Sequence, residues 1–136
     1  MAPGSPASAT GSVITLSATL IVLGRVVFGL FFVIAGLRNF AGFRARIPST
    51  TNYGWDLPPP IVAFGFAMQL VGGLSLIFDV WTVYGAALLI VFLVLATAMY
   101  HNLFLFEGKA RDPHLYLVLV NITLVAGLLQ IIGVSL

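Results

Sequence analysis

The chain has 136 residues, of which 60% are hydrophobic and only 7% charged. A soluble domain of this length carries about a quarter charged residues to cover its surface, so composition excludes water as the main solvent and leaves lipid. Six Lys/Arg against four Asp/Glu is too small an excess for a nucleic-acid footprint, and the absence of cysteine removes disulfides, thiolate metal sites and cysteine nucleophiles.

Residues 1–15 are rich in Ala, Ser, Pro and Gly and carry no charged side chain, which reads as a flexible tail without the basic start of a secretory signal. After it, a hydrocarbon layer of about 30 Å needs ~20 apolar residues in helix, and four such runs follow. They lie at about 16–37, 59–78, 82–100 and 115–134. The pattern predicts an all-α fold, a transmembrane four-helix bundle forming one domain over 16–136. Pro58, Pro59 and Pro60 suit the start of the second helix, and Asp79 followed by Trp81 marks its end.

Between spans one and two lie Arg38, Arg44 and Arg46; between three and four lie Lys109 and Arg111. The positive-inside rule places both links in the cytoplasm, so the two termini and the Asp79 turn fall on the non-cytoplasmic side. Tyr53, Trp55 and the prolines of the first link predict a short interfacial segment.

Polar groups within the apolar runs are the candidate functional positions. Arg25 shares a helical stripe with Gly29 and Gly36, small residues that let helices approach, and so points into protein, within reach of Asp79 or Gln130. In span two, Gln69, Gly72 and Gly73 cluster with Gly65 near mid-membrane, where an interhelical hydrogen bond is the plain reading of the amide. Asn121 and Gln130 are nine residues apart, which at about 100° per residue puts them on opposite faces of span four. They serve different sites, and the Gln130 stripe, with Thr123 and Gly127, is expected to face a partner helix or the outer surface. His101 ends span three and His114 begins span four. Two histidines without further ligands make a poor metal site, so no metal and no catalytic residue is predicted. His101 with Asn121 could instead hydrogen-bond a quinone carbonyl.

Taken in order, several of these pieces resemble the DoxX family of bacterial four-helix membrane proteins. The resemblance is carried by Gly24-Arg25, Phe28-Gly29 and Ala35-Gly36-Leu37, by Phe40-Ala41-Gly42-Phe43, and by Gln69-Leu70-Val71-Gly72-Gly73. It continues through Ala96-Thr97-Ala98-Met99-Tyr100-His101-Asn102 and Asn121-Ile122-Thr123-Leu124-Val125-Ala126-Gly127. The family pattern usually has Lys where Asn39 stands and often Glu where Gln69 stands. The resemblance implies a multi-pass protein of the bacterial inner membrane, in contact with lipid and with other membrane subunits or copies of itself. Relatives are described as membrane partners of oxidoreductases, including the DoxD-like subunit of a thiosulfate:quinone oxidoreductase. Three functions are therefore open: a non-catalytic accessory subunit of a membrane redox complex, a quinone-interacting subunit, and a small-solute carrier or channel. The last is weakest, because Gln69 is the one strongly polar group at mid-depth.

Overall fold

A computed structural model describes residues 6–102 and 108–136. Four α-helices dominate it: α1 (Pro6–Ala41), α2 (Pro59–Phe78), α3 (Thr82–Tyr100) and α4 (Arg111–Ser135). All four are long and apolar enough to cross a membrane, because in hydrocarbon every backbone N–H and C=O must be satisfied within the segment. Their succession is antiparallel. Gly29 lies against Gly73 and Gly36 against Leu70, Gly72 lies against Leu89 and Gly65 against Phe92, and Asn121 reaches Thr97.

The bounds of α2 and α3 agree with the apolar runs. Pro at the first positions of α2 costs no hydrogen bond, since those N–H groups have no intrahelical partner anyway. Its end is set by Asp79, which adopts the left-handed conformation (φ 53°, ψ 44°), as does Trp81 (φ 51°). Asp tolerates this region better than a bulky residue does. Ser75 holds the turn closed by donating to the Val80 and Trp81 carbonyls, and Thr82 Oγ1 donates to Asp79 Oδ1 at 2.5 Å.

α1 departs from the span read in the sequence. It begins at Pro6, within the stretch assigned to a tail, while residues 1–5 of that tail lie outside the described residues. The hydroxyls that would favour a loop are absorbed by the helix itself, Thr15 donating to the Gly11 carbonyl and Thr19 to that of Thr15. At 1.5 Å per residue its 36 residues measure about 54 Å, well beyond one hydrocarbon layer. Residues 9–24 are exposed throughout; burial starts at Arg25.

The link between α1 and α2 is more structured than an interfacial strip. A 3-10 turn (Phe43–Arg46) leads into an antiparallel hairpin of β1 (Ser49–Thr50) and β2 (Asp56–Leu57), with Ser49 opposite Leu57. This hairpin seats on the end of α3. Asn52 N–H donates to the Met99 carbonyl at 2.7 Å, Tyr53 Oη donates to the Ala98 carbonyl at 3.3 Å, and Ser49 Oγ hydrogen-bonds Tyr100 Oη. Helix-end carbonyls that lack an intrahelical donor are thus supplied by the hairpin. The second link, which passes through residues outside the described set, re-enters as a 3-10 turn at Gly108–Ala110.

The core draws on all four helices: Phe32 from α1, Leu76 from α2, Ala86, Leu89 and Leu93 from α3, and Leu128 and Ile131 from α4. Around it the large apolar side chains are mostly exposed, among them Phe64, Phe78, Trp81, Tyr84 and Tyr116. In water that surface would aggregate; in a bilayer it is the surface that faces lipid.

Candidate functional site

The polar side chains of the helices fall into three separate clusters, and their separation follows from helical geometry. The first joins α1 to α2. Gln69, 7% exposed, accepts a hydrogen bond of 2.7 Å from Asn39 Nδ2. The glycine cluster around Gln69 is divided between two neighbours. Gly73 meets α1, while Gly72 and Gly65 meet Leu89 and Phe92 of α3. The division arises because successive residues of α2 differ by about 100° in direction and α1 and α3 flank it. Asn39 was not singled out as a partner in the sequence; the amide pair joins α1 to α2 without buried charge.

The second cluster lies where α1 passes the α2–α3 turn. Arg25 Nη1 donates to the Leu76 carbonyl at 3.1 Å and lies 3.3 Å from Asp79 Oδ1. The Arg25 side chain is 10% exposed and that of Asp79 is 63%. Gln130 is not bonded to Arg25 but lines the same α1–α4 cleft, of about 220 Å³, with Leu20, Phe28 and Ile131. On the same stripe, Gly127 lets the Phe28 ring of α1 pack directly on the α4 backbone, while Thr123 and Gln130 are exposed.

The third cluster is at the hairpin end, between α3 and α4. His101 Nδ1 and His114 Nδ1 are 2.9 Å apart. Asn121 Nδ2 donates to Thr97 Oγ1 at 2.8 Å, and Thr97 donates in turn to the Leu93 carbonyl at 2.7 Å. His101, Asn102, Thr97 and Asn121 line one cleft of about 430 Å³ whose remaining walls are apolar, including Val94, Val118 and Ile122. The two residues paired in the sequence as a candidate site thus open on the same space. Among the described residues no group of three or more His, Asp and Glu is placed to hold a metal.

His101 lies just past the end of α3. Burial, and secondarily the adjacent His114 ring, hold its pKa below the ordinary value of 6.5. The short contact requires one Nδ1 to donate and the other to accept. Protonation of His101 is disfavoured in the fold but not in the unfolded chain, so below pH 6.5 the unfolded state binds more protons and stability falls. Melting in detergent is expected to be flat above pH 7 and to move to lower temperature as pH drops below 6.5. His101→Phe should flatten that acid limb.

Comparison with protein-family models gives a match to the DoxX family over residues 9–102, which takes in nearly all of α1, the hairpin, α2 and α3. The chain belongs to the DoxX family. As a DoxX protein it is a multi-pass membrane protein whose family-defining part holds Arg25, Asn39, Gln69 and His101, whereas α4, with Asn121 and Gln130, follows the matched region. Comparison with curated proteins and with solved structures finds no match.

Proposed function

We propose that this DoxX protein is a small subunit of a bacterial inner-membrane redox complex and that its α3–α4 cleft receives a quinone head. The observation that carries this reading is the joint lining of one lipid-facing apolar cleft by His101 and Asn121. Such a cleft, apolar with few convergent polar groups, suits a ligand of that kind. The residues fit the group. His101 has its Nδ1 engaged by His114, which leaves Nε2 to meet a carbonyl oxygen, and Asn121 has a second amide N–H beyond the one given to Thr97. A bound quinone supplies the electron-accepting chemistry; His101 supplies a proton position whose tautomer is set by His114. The five basic residues other than Arg25 favour placing this end at the cytoplasmic face.

The test is the quinone content of protein purified in mild detergent at native expression level. His101→Ala and Asn121→Ala are each expected to weaken retention of quinone by about fivefold to tenfold, the effect of losing one hydrogen bond in an apolar site. Unchanged content in both variants rejects the cleft as the quinone site.

A second reading, a non-catalytic accessory subunit, is favoured by a different observation. Residues 9–24 of α1 are exposed on every side, with the apolar Val13, Ile14, Leu16 and Leu20 each more than half exposed. That surface suits packing against another membrane subunit or a second copy. Purification yielding only a monomer, with no accompanying polypeptide, counts against both readings as a subunit.

A further inference from the structure

The cleft between α1 and α4 is independent of the quinone reading and lies toward the opposite end of the bundle. Arg25 is nine-tenths buried there, yet only Nη1 of its guanidinium is engaged, by the Leu76 carbonyl and Asp79. Nη2 and Nε make no hydrogen bond among the described residues, and neither does the Gln130 side chain. Asp79 is the one acid near this end among the described residues. It is turned outward, with 63% of its side chain exposed, and its Oδ1 is shared with Thr82. The cation therefore faces the cleft while its counter-charge faces away. The remaining walls, Leu20, Ile21, Phe28, Ile131 and Val134, are apolar.

Spare donors of a buried guanidinium beside a free amide, set in apolar walls that open to lipid, match an oxyanion carried on a hydrocarbon chain. A guanidinium fork binds planar or tetrahedral oxyanions through two donors at once. Neutral amphiphiles would leave the cation uncompensated on its cleft side. We propose that the α1–α4 cleft binds the oxyanion head of an anionic membrane amphiphile, with Arg25 and Gln130 donating to its oxygens and the chain lying along Ile21 and Val134.

Native mass spectrometry of the whole protein in detergent, titrated with phosphatidylglycerol, oleate or the uncharged lipid diacylglycerol, tests this. The wild-type protein is expected to retain one equivalent of an anionic ligand at least about tenfold more tightly than diacylglycerol. Preference for phosphatidylglycerol identifies a phosphate source and preference for oleate a carboxylate source. Gln130→Leu, which alters an exposed residue without a hydrogen bond, should fold normally and reduce that retention. Arg25→Lys, which keeps the charge but loses the fork, should reduce it further. Asn121→Leu, in the other cleft, should leave it unchanged. Equal retention of all three amphiphiles by the wild type, or undiminished anionic binding by Gln130→Leu, overturns the proposal. Quinone content measured on the same samples separates this outcome from the fate of the α3–α4 cleft.

Discussion

Placing alanine at Gly29 or Gly73 is expected to destabilise the bundle by about 1–3 kcal/mol, and leucine at either position to prevent assembly of α1 on α2. At this crossing the two backbones touch. A Cβ added to Gly73 would lie 2.7 Å from the Gly29 carbonyl oxygen and 2.9 Å from Val33 Cγ2. One added to Gly29 would lie 2.6 Å from the Gly73 carbonyl oxygen and 3.0 Å from the Ile77 nitrogen. Backbone atoms cannot rotate aside as a side chain can, so relief requires the helices to separate. Separation lengthens the Asn39–Gln69 hydrogen bond and withdraws Arg25 from Leu76 on the same interface. In lipid there is little hydrophobic gain to hold separated helices together, because the tails solvate apolar side chains as well as the protein does. The measurement is reversible unfolding in mixed micelles followed by circular dichroism. The Gly29→Ala, Gly73→Ala double variant should cost less than the sum of the singles, since the helices need part only once. Gly24, against which a Cβ would meet nothing within 4 Å, is the control, and Gly24→Ala should be neutral or slightly stabilising.

The second large effect concerns Arg25 and Asp79, whose burial is unequal. Removing Asp79 strands a guanidinium that is 10% exposed, with one carbonyl as its remaining partner; removing Arg25 frees a carboxylate that is already 63% exposed. Asp79→Ala is therefore expected to cost more than Arg25→Met, by about 1–3 kcal/mol. Breaking a fully buried pair by deleting one member costs about 3–5 kcal/mol, and the exposure of Asp79 reduces that figure here. Arg25→Met combined with Asp79→Ala should recover the part of that cost that comes from the unpaired charge, but not the Thr82 hydrogen bond or the left-handed backbone that Asp79 favours. The same unfolding assay, run as a double-mutant cycle, gives the coupling directly. Equal costs for the two single variants would show that the pair behaves as a surface ion pair.

Much of the helical layout was legible because a bilayer imposes one simple requirement, a long apolar run, and the sequence meets it four times. The α2 and α3 limits were sharp in the sequence because proline and Asp79 sit at the boundaries. The start of α1 was obscured because Ala, Ser, Thr and Gly occur equally in tails and in helices whose hydroxyls bond back to the preceding turn. Opposite faces for Asn121 and Gln130 followed from periodicity alone, and the two residues line different clefts. Periodicity within one helix cannot say which neighbour a face meets. For that reason the packing of Gly127 on Phe28 is not readable from α4 alone, and the face of α2 that carries Gln69 reads as single although α1 and α3 divide it. The β1–β2 hairpin left little trace, since two-residue strands have no periodicity to read.

That hairpin bears on how the chain is made. A ribosome delivers residues 49–57 before it delivers α3, yet the carbonyl groups that the hairpin serves, those of Ala98 and Met99, belong to the last turn of α3. During synthesis the hairpin therefore emerges with nothing to seat against, and it stays without that seat until two further helices have entered the bilayer. Docking of Asn52 and Tyr53 registers the completion of the α2–α3 pair, so a nascent chain halted before residue 98 should leave the 49–57 segment open to protease and one carried past it should not.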